Sequence, residues 1–181
     1  QLGWMTRSKP LVLKSGRILL PLYSDGFNFS LVAYSDDAGN QWSIGEPIVG
    51  YGNVQPSLTQ KKDGSIVALM RDNGDLPSRV LQSISADDGE HWSAVDDLKI
   101  PNPGSSLHTL ALPNGEWLMV NNNLEKGRNE LHLNHSKDEG KTWRTIMEIE
   151  KSDNPEDSFS YPTLISSKND EIHLSYSLRK Q

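Results

Sequence analysis

The stretch Ser85–Trp92, SADDGEHW, decides the architecture. Two acids and a glycine belong in a solvated turn, yet the turn ends on a tryptophan, whose large apolar ring favours burial. The conflict resolves if the tryptophan anchors the turn. The same pattern stands at Ser35–Trp42, SDDAGNQW, and at Ser136–Trp143, SKDEGKTW, so all three obey SxDxGxxW. Their tryptophans are 50 and 51 residues apart, a period that marks a repeated supersecondary unit.

Each residue of the pattern has a physical task. The aspartates Asp37, Asp87 and Asp138 can accept hydrogen bonds from backbone N–H groups ahead of them and so pin the turn. The glycines supply the positive φ that the turn requires. The tryptophan is expected to open the next strand and fold back beneath the turn, sealing that end of the sheet. A calcium loop is the competing interpretation, and it fails in detail. The glycine falls one place early, Met147 stands where a bidentate acid belongs, and strands flank the loop. No metal and no cofactor is expected.

Between the turns the chain reads as strand throughout. The second unit offers QPSLTQK, GSIVALMR, RVLQSIS and HWSAVDDL, and the third offers SLHTLAL, EWLMVNN, ELHLNHS and KTWRTIMEI. The first repeats the plan, while a fourth begins with YPTLISS and EIHLSYS. Four-stranded antiparallel units at this period are the blades of an all-β propeller. Residues 7–50, 51–100 and 101–152 are expected to form three blades, and 153–181 half of another, within one partial propeller domain spanning 1–181. A six-bladed ring would need roughly 300 residues. Earlier blades, or a second copy of the chain, are therefore expected to complete it.

Composition excludes other classes. The 181 residues carry a formal net charge of −6 with scattered lysines and arginines, which speaks against nucleic acid. No apolar run is long enough to span a bilayer, and QLGWMTRSKP lacks the plan of a secretion signal, so a soluble chain is expected. The absence of cysteine excludes disulfides and thiolate metal sites.

Strand parity selects the residues that share a face. With strands A to D counted outward from the channel, the SxDxGxxW turn joins C to D. The opposite face receives the start of A, the end of B and the start of C. That face collects Tyr23, Asp25 and Asn28 from the first blade, and Gln55, Arg71, Asp72 and Arg79 from the second. The third adds Ser105, Asn121, Asn122, Asn123, Glu125 and Arg128, and the fourth Ser160 and Tyr161. Arginines, amides and a tyrosine at a channel mouth suit an anionic, hydroxyl-rich ligand such as an acidic sugar. The bland alternative pairs Arg71 with Asp72, and Arg128 with Glu125 or Glu130. His132 and His135 read as solvent-facing, and Trp117 as a core residue with sugar stacking as its alternative.

The three turns resemble the Asp-box, or BNR repeat, of the sialidase (neuraminidase) superfamily, and the intervening segments resemble sialidase segments over nearly the whole chain. GSIVALMR is similar to the strand that ends on a carboxylate-binding arginine, here Arg71. GRNELHLNHSKDEGKTW is similar to the segment carrying another arginine of the triad, here Arg128, and FSYPTLI to that of the tyrosine nucleophile, here Tyr161. The resemblance implies retaining hydrolysis of terminal α-linked sialic acids, with three arginines on the sugar carboxylate and Tyr161 attacking the anomeric carbon. A phenol avoids the repulsion that an anionic nucleophile would meet beside that carboxylate. Taken alone, Tyr161 also reads as an ordinary strand tyrosine capped by Pro162.

One departure stands out. GNVQPSL places Gln55 where the family has the glutamate that activates the tyrosine, and an amide cannot take the proton. Glu125 or Asp25 is the expected substitute carboxylate, with Gln55 and Asn122 left to bind substrate. The first arginine and the acid/base aspartate belong to early blades in the family, so this chain alone is not expected to turn over. Two function classes follow. One is an exo-acting hydrolase of sialic acid or another acidic glycoside, expected in an extracellular or periplasmic setting. The other is a propeller that binds carbohydrate or protein without catalysis.

Overall fold

The computed structural model describes residues 3–169 and 171–181, and every regular element among them is a strand. Strands β1 (Leu11–Val12), β2 (Ile18–Ser24), β3 (Phe29–Ser35) and β4 (Ser43–Ile44) make the first sheet. The second comprises β5 (Asn53–Gln60), β6 (Ile66–Asp72), β7 (Arg79–Ser85) and β8 (Asp96–Pro101). The third comprises β9 (His108–Ala111), β10 (Trp117–Asn121), β11 (Glu130–Ser136) and β12 (Arg144–Lys151). β13 (Ser158–Ser166) and β14 (Ile172–Arg179) form a two-stranded sheet. Each sheet is an antiparallel meander paired in chain order, as expected for propeller blades.

All three SxDxGxxW turns close with the same hydrogen bonds. The serine hydroxyl donates to the aspartate Oδ1 at 2.9, 2.9 and 2.8 Å and accepts the glycine N–H at 2.9, 2.9 and 2.8 Å. Aspartate Oδ1 accepts the N–H of Gln41, His91 or Thr142 four residues on, at 2.8–3.0 Å. Each indole N–H returns to its glycine carbonyl at 3.0–3.1 Å. These bonds to the ionised form hold Asp87 and Asp138 down at about 2, in each case mainly through the residue four places on.

What the tryptophan seals is the joint between blades. Trp92 packs on the core shared by the first two sheets, with Leu19, Val32, Ile66 and Met70. Trp143 packs on the core between the second and third, with Leu69, Val80, Leu107 and Trp117. The turn glycines serve the same joints, because a Cβ on Gly140 would come within 2.9 Å of Trp117, and one on Gly89 within 3.0 Å of Leu19. Trp42 joins none of the cores shared between sheets among the described residues and is 44% exposed.

The outer strand starts later than the sequence suggests. HWSAVDDL reads as strand from His91, but β8 begins at Asp96. Ser93 is tied to Ile84 through both its N–H and its hydroxyl, and the Val95 N–H donates to the Val49 carbonyl of the preceding segment. The backbone is thus tied to β7 and to the connection between β4 and β5 before it joins a strand.

The inner strands meet through polar contacts. Thr109 shares hydrogen bonds with Ser57 and Thr59 at 2.9 and 2.7 Å, and the Leu164 N–H donates to His108 Nδ1 at 3.2 Å. Those links fix β5, β9 and β13 side by side and bring their entry ends to one mouth.

Candidate active site

Two inner strands carry the same distortion. Pairing of β5 with β6 slips between Val54 and Ser57, and pairing of β13 with β14 slips between Ser160 and Thr163. The extra residues are Gln55-Pro56 and Tyr161-Pro162, and Gln55 and Tyr161 have φ of 58° and 55°. A bulge accommodates proline, which has no N–H to donate to the ladder. The left-handed backbone stores about 1–3 kcal/mol at each position, strain of a kind that clusters at functional sites.

Arg71 closes β6 directly across from Val54, beside the first bulge. Arg128 is bolted to the start of β13, its carbonyl accepting the Phe159 N–H at 2.8 Å. Its guanidinium lies 6.0 Å from the centre of the Tyr161 ring. Among the described residues neither arginine has a carboxylate within ion-pair distance. Arg71 donates to Asn73 Oδ1 at 3.1 Å, Asn73 in turn to Asn28 Oδ1 at 2.7 Å, and Arg128 donates to the Gly104 carbonyl at 2.9 Å. The three acids that the sequence offers as their partners are engaged elsewhere. Asp72 accepts the N–H groups of Gly74 and Arg79, Glu125 pairs with Arg79 at 2.9 Å, and Glu130 pairs with Lys151 at 3.2 Å.

Electrostatics brings the group together. Burial pushes the Arg71 guanidinium below its usual range and the positive charge of Arg128 adds to this, while Tyr161, Asp25 and Tyr23 act in the opposite direction. Two guanidiniums without a carboxylate partner among the described residues, one of them beside a phenol, leave N–H donors that an anion could use. Tyr161, 44% exposed, lines a cleft of about 380 Å³ with Arg128, Ser158, Ser160, Glu156 and Arg179.

Other residues of the expected face have different surroundings. Gln55 is 3% exposed, its Nε2 reaching the Tyr23 hydroxyl at 3.4 Å while Oε1 has no partner. Glu125 lines a neighbouring groove with Asp72, Ser78 and Lys126, which meets the Tyr161 cleft at Gly127. Asn122 is fully buried and donates to the carbonyls of Glu130 and Phe159 at 2.7 and 2.9 Å, so it staples the third sheet to the fourth. Ser105 is buried, its N–H held by Asn102. Trp117 is a core residue, 1% exposed.

The histidines are less exposed than the sequence suggests. The side chains of His132 and His135 are 12% and 10% exposed, and Glu130 and Glu116 face them at 3.4 and 2.9 Å. Glu130, His132 and Glu148 lie close enough to share a cation, and the Lys151 ammonium stands against both carboxylates, at 3.2 and 3.4 Å.

One member of the site escapes sequence reasoning. Arg7, from the entry to the first blade, reaches across the channel to donate to the Pro162 carbonyl at 2.8 Å and to Thr163 Oγ1 at 3.3 Å. Its guanidinium lies 5.4 Å from the centre of the Tyr161 ring. Arg7 belongs to no repeat, and only its long-range contacts in the folded chain show where it points.

Known proteins share this architecture. The family model described as BNR repeat-like domain matches residues 3–174. Anhydrosialidase of Macrobdella decora is 32% identical over 81 residues, covering 44% of this chain and 10% of that protein. The sialidase of Trypanosoma rangeli, solved with 2,3-difluorosialic acid as a covalent intermediate, superposes with a TM-score of 0.75 at 20% identity, over 93% of this chain and 28% of its own. A K499G mutant of NanB sialidase from Streptococcus pneumoniae gives 0.73 at 19% identity, over 92% and 26%. The chain thus spans about a quarter of these sialidase structures and a tenth of the anhydrosialidase. It belongs to the BNR repeat-like domain family and has the sialidase propeller fold.

Proposed function

We propose that this chain supplies the carboxylate grip and the nucleophile of an exo-acting glycoside hydrolase of the sialidase type, which removes a terminal acidic sugar from a glycan. The observation that carries this reading is Arg128, free of a carboxylate partner among the described residues, with its guanidinium 6.0 Å from the ring of a strained and half-exposed Tyr161; Arg71, likewise without a carboxylate partner, stands near the end of β6 and outside the cleft that Tyr161 lines. A planar guanidinium matches a carboxylate through two parallel N–H bonds, so two of them fix both the charge and the orientation of the sugar. The anomeric carbon bearing that carboxylate then faces Tyr161, whose neutral phenol approaches without repulsion. Attack forms a bond from the phenol oxygen to this carbon as the bond to the glycosidic oxygen breaks; the phenol gives up its proton, the departing oxygen takes one up and leaves as an alcohol, and water later cleaves the tyrosine–sugar bond with retention. Among the acids nearby, Asp25 is the one whose field reaches Arg71, and Glu156 lines the Tyr161 cleft.

A second reading, a sugar-binding propeller without turnover, is favoured by Gln55. Its amide occupies the bulge where a proton-accepting glutamate is implied by the sialidase resemblance. Release of a fluorescent aglycone from α-linked sialosides and uronides by the protein containing this chain separates the two. The hydrolase reading expects turnover that Tyr161→Phe abolishes. Binding of the same glycosides with no turnover across the panel decides for the second.

A further inference from the structure

To act as a nucleophile Tyr161 must shed its phenol proton, which places negative charge on its oxygen, and the Gln55 amide cannot take that proton. The ring is instead flanked by cations, with the Arg7 and Arg128 guanidiniums 5.4 and 6.0 Å from its centre. Arg7 is anchored to the two residues after the tyrosine, through the Pro162 carbonyl and the Thr163 hydroxyl. Both are neutral acceptors. Among the described residues no carboxylate lies within ion-pair distance of Arg7, and its Nε is buried without a partner.

We propose that Arg7 is a positioning residue acting through Tyr161: it locks the left-handed bulge from across the channel and, with Arg128, supplies the positive field that makes the phenol oxygen nucleophilic without a carboxylate base. The catalytic meaning of this role rests on Tyr161 being the nucleophile, whereas the effect on the phenol does not. A desolvated cation over an aromatic face interacts more strongly than an exposed one, and charges at this range in a half-buried site change reactivity on the order of tenfold or more.

The test reads the phenol directly. An aryl sulfonyl fluoride modifies tyrosine by forming an oxygen–sulfur bond, with fluoride leaving and the phenol proton passing to buffer. Peptide mass spectrometry of the full chain gives the rate at Tyr161, with Tyr51, 71% exposed, as internal reference. Tyr161 is expected to react about tenfold faster than Tyr51. Arg7→Gln keeps a donor for Pro162 but removes the charge, and should bring Tyr161 down to the Tyr51 rate. Arg7→Lys keeps the charge and should retain most of the excess. The proposal is overturned if wild-type Tyr161 reacts no faster than Tyr51, or if Arg7→Gln reacts like wild type. It is also overturned if both variants slow equally and melt lower together, which is the behaviour of a strut alone. Lack of turnover on every acidic glycoside, with this labelling pattern intact, would remove the hydrolase reading and leave the role of Arg7 standing.

Discussion

Arg71→Met should make the fold more stable and the site weaker. In the free protein Arg71 is partly buried, its Nε has no partner, and Arg128 repels it. Methionine keeps most of the apolar stem. It removes one hydrogen bond, to Asn73 at 3.1 Å, worth about 0.5–1.5 kcal/mol. It also removes an unpartnered polar group, worth about 1–3 kcal/mol if fully buried and less here. The balance favours the variant by about 0.5–1 kcal/mol, and a domain of this size gains about 2–4 °C per kcal/mol. Melting should therefore rise by roughly 2 °C. An acidic sugar loses a charge-assisted pair worth about 1.5–3 kcal/mol, so its affinity should fall about 10- to 100-fold. Thermal melts of both proteins with and without an unsaturated sialic acid analogue measure both quantities, and the methyl ester of that analogue controls for the charge. A melting point several degrees lower with affinity unchanged would make Arg71 a structural residue and refute the reasoning.

The repeated turns should differ in worth. Trp143→Ala should cost about 2–3 kcal/mol in urea unfolding, because its ring covers the joint between two sheets, whereas Trp42→Ala should cost less than about 1 kcal/mol. Asn122→Asp puts an acceptor where two carbonyls need a donor, and should destabilise by about 2–4 kcal/mol in the same assay. His108 is 1% exposed, and burial, reinforced by Lys9 and Arg7, holds it at about 4 against an ordinary 6.5. The unfolded chain then binds a proton that the folded one refuses, so this residue removes roughly 3 kcal/mol of stability as pH falls from 6.5 to 4, and none further below. His108→Gln should flatten that part of the stability profile.

The blades were legible because their devices are local. A serine, an aspartate, a glycine and a tryptophan within eight residues fix a turn through bonds to one another, and alternation fixes the strands that follow. Parity also assigns Arg71, Arg128 and Tyr161 to one face, and in the folded chain the Arg128 guanidinium lies 6.0 Å from the Tyr161 ring. It misjudged Asn122, because a side chain at a strand end turns inward when neighbouring carbonyls lack donors. Glu125 looked available because its partner Arg79 lies 46 residues away, across a joint between blades. Arg7 was invisible for the same reason on a larger scale, since its contacts with Pro162 and Thr163 span 155 and 156 residues.

The central claim is that Tyr161 attacks a sugar whose carboxylate is held by Arg71 and Arg128. A 2,3-difluoro acidic sugar tests it most directly, because fluoride leaves without help from an acid and the second fluorine slows release of the adduct. Mass spectrometry of the treated protein should find the sugar on the peptide carrying Tyr161, and Arg71→Met or Arg128→Met should suppress it. Saturating binding, seen as a rise in melting temperature, with the sugar on another residue or on none would contradict the account.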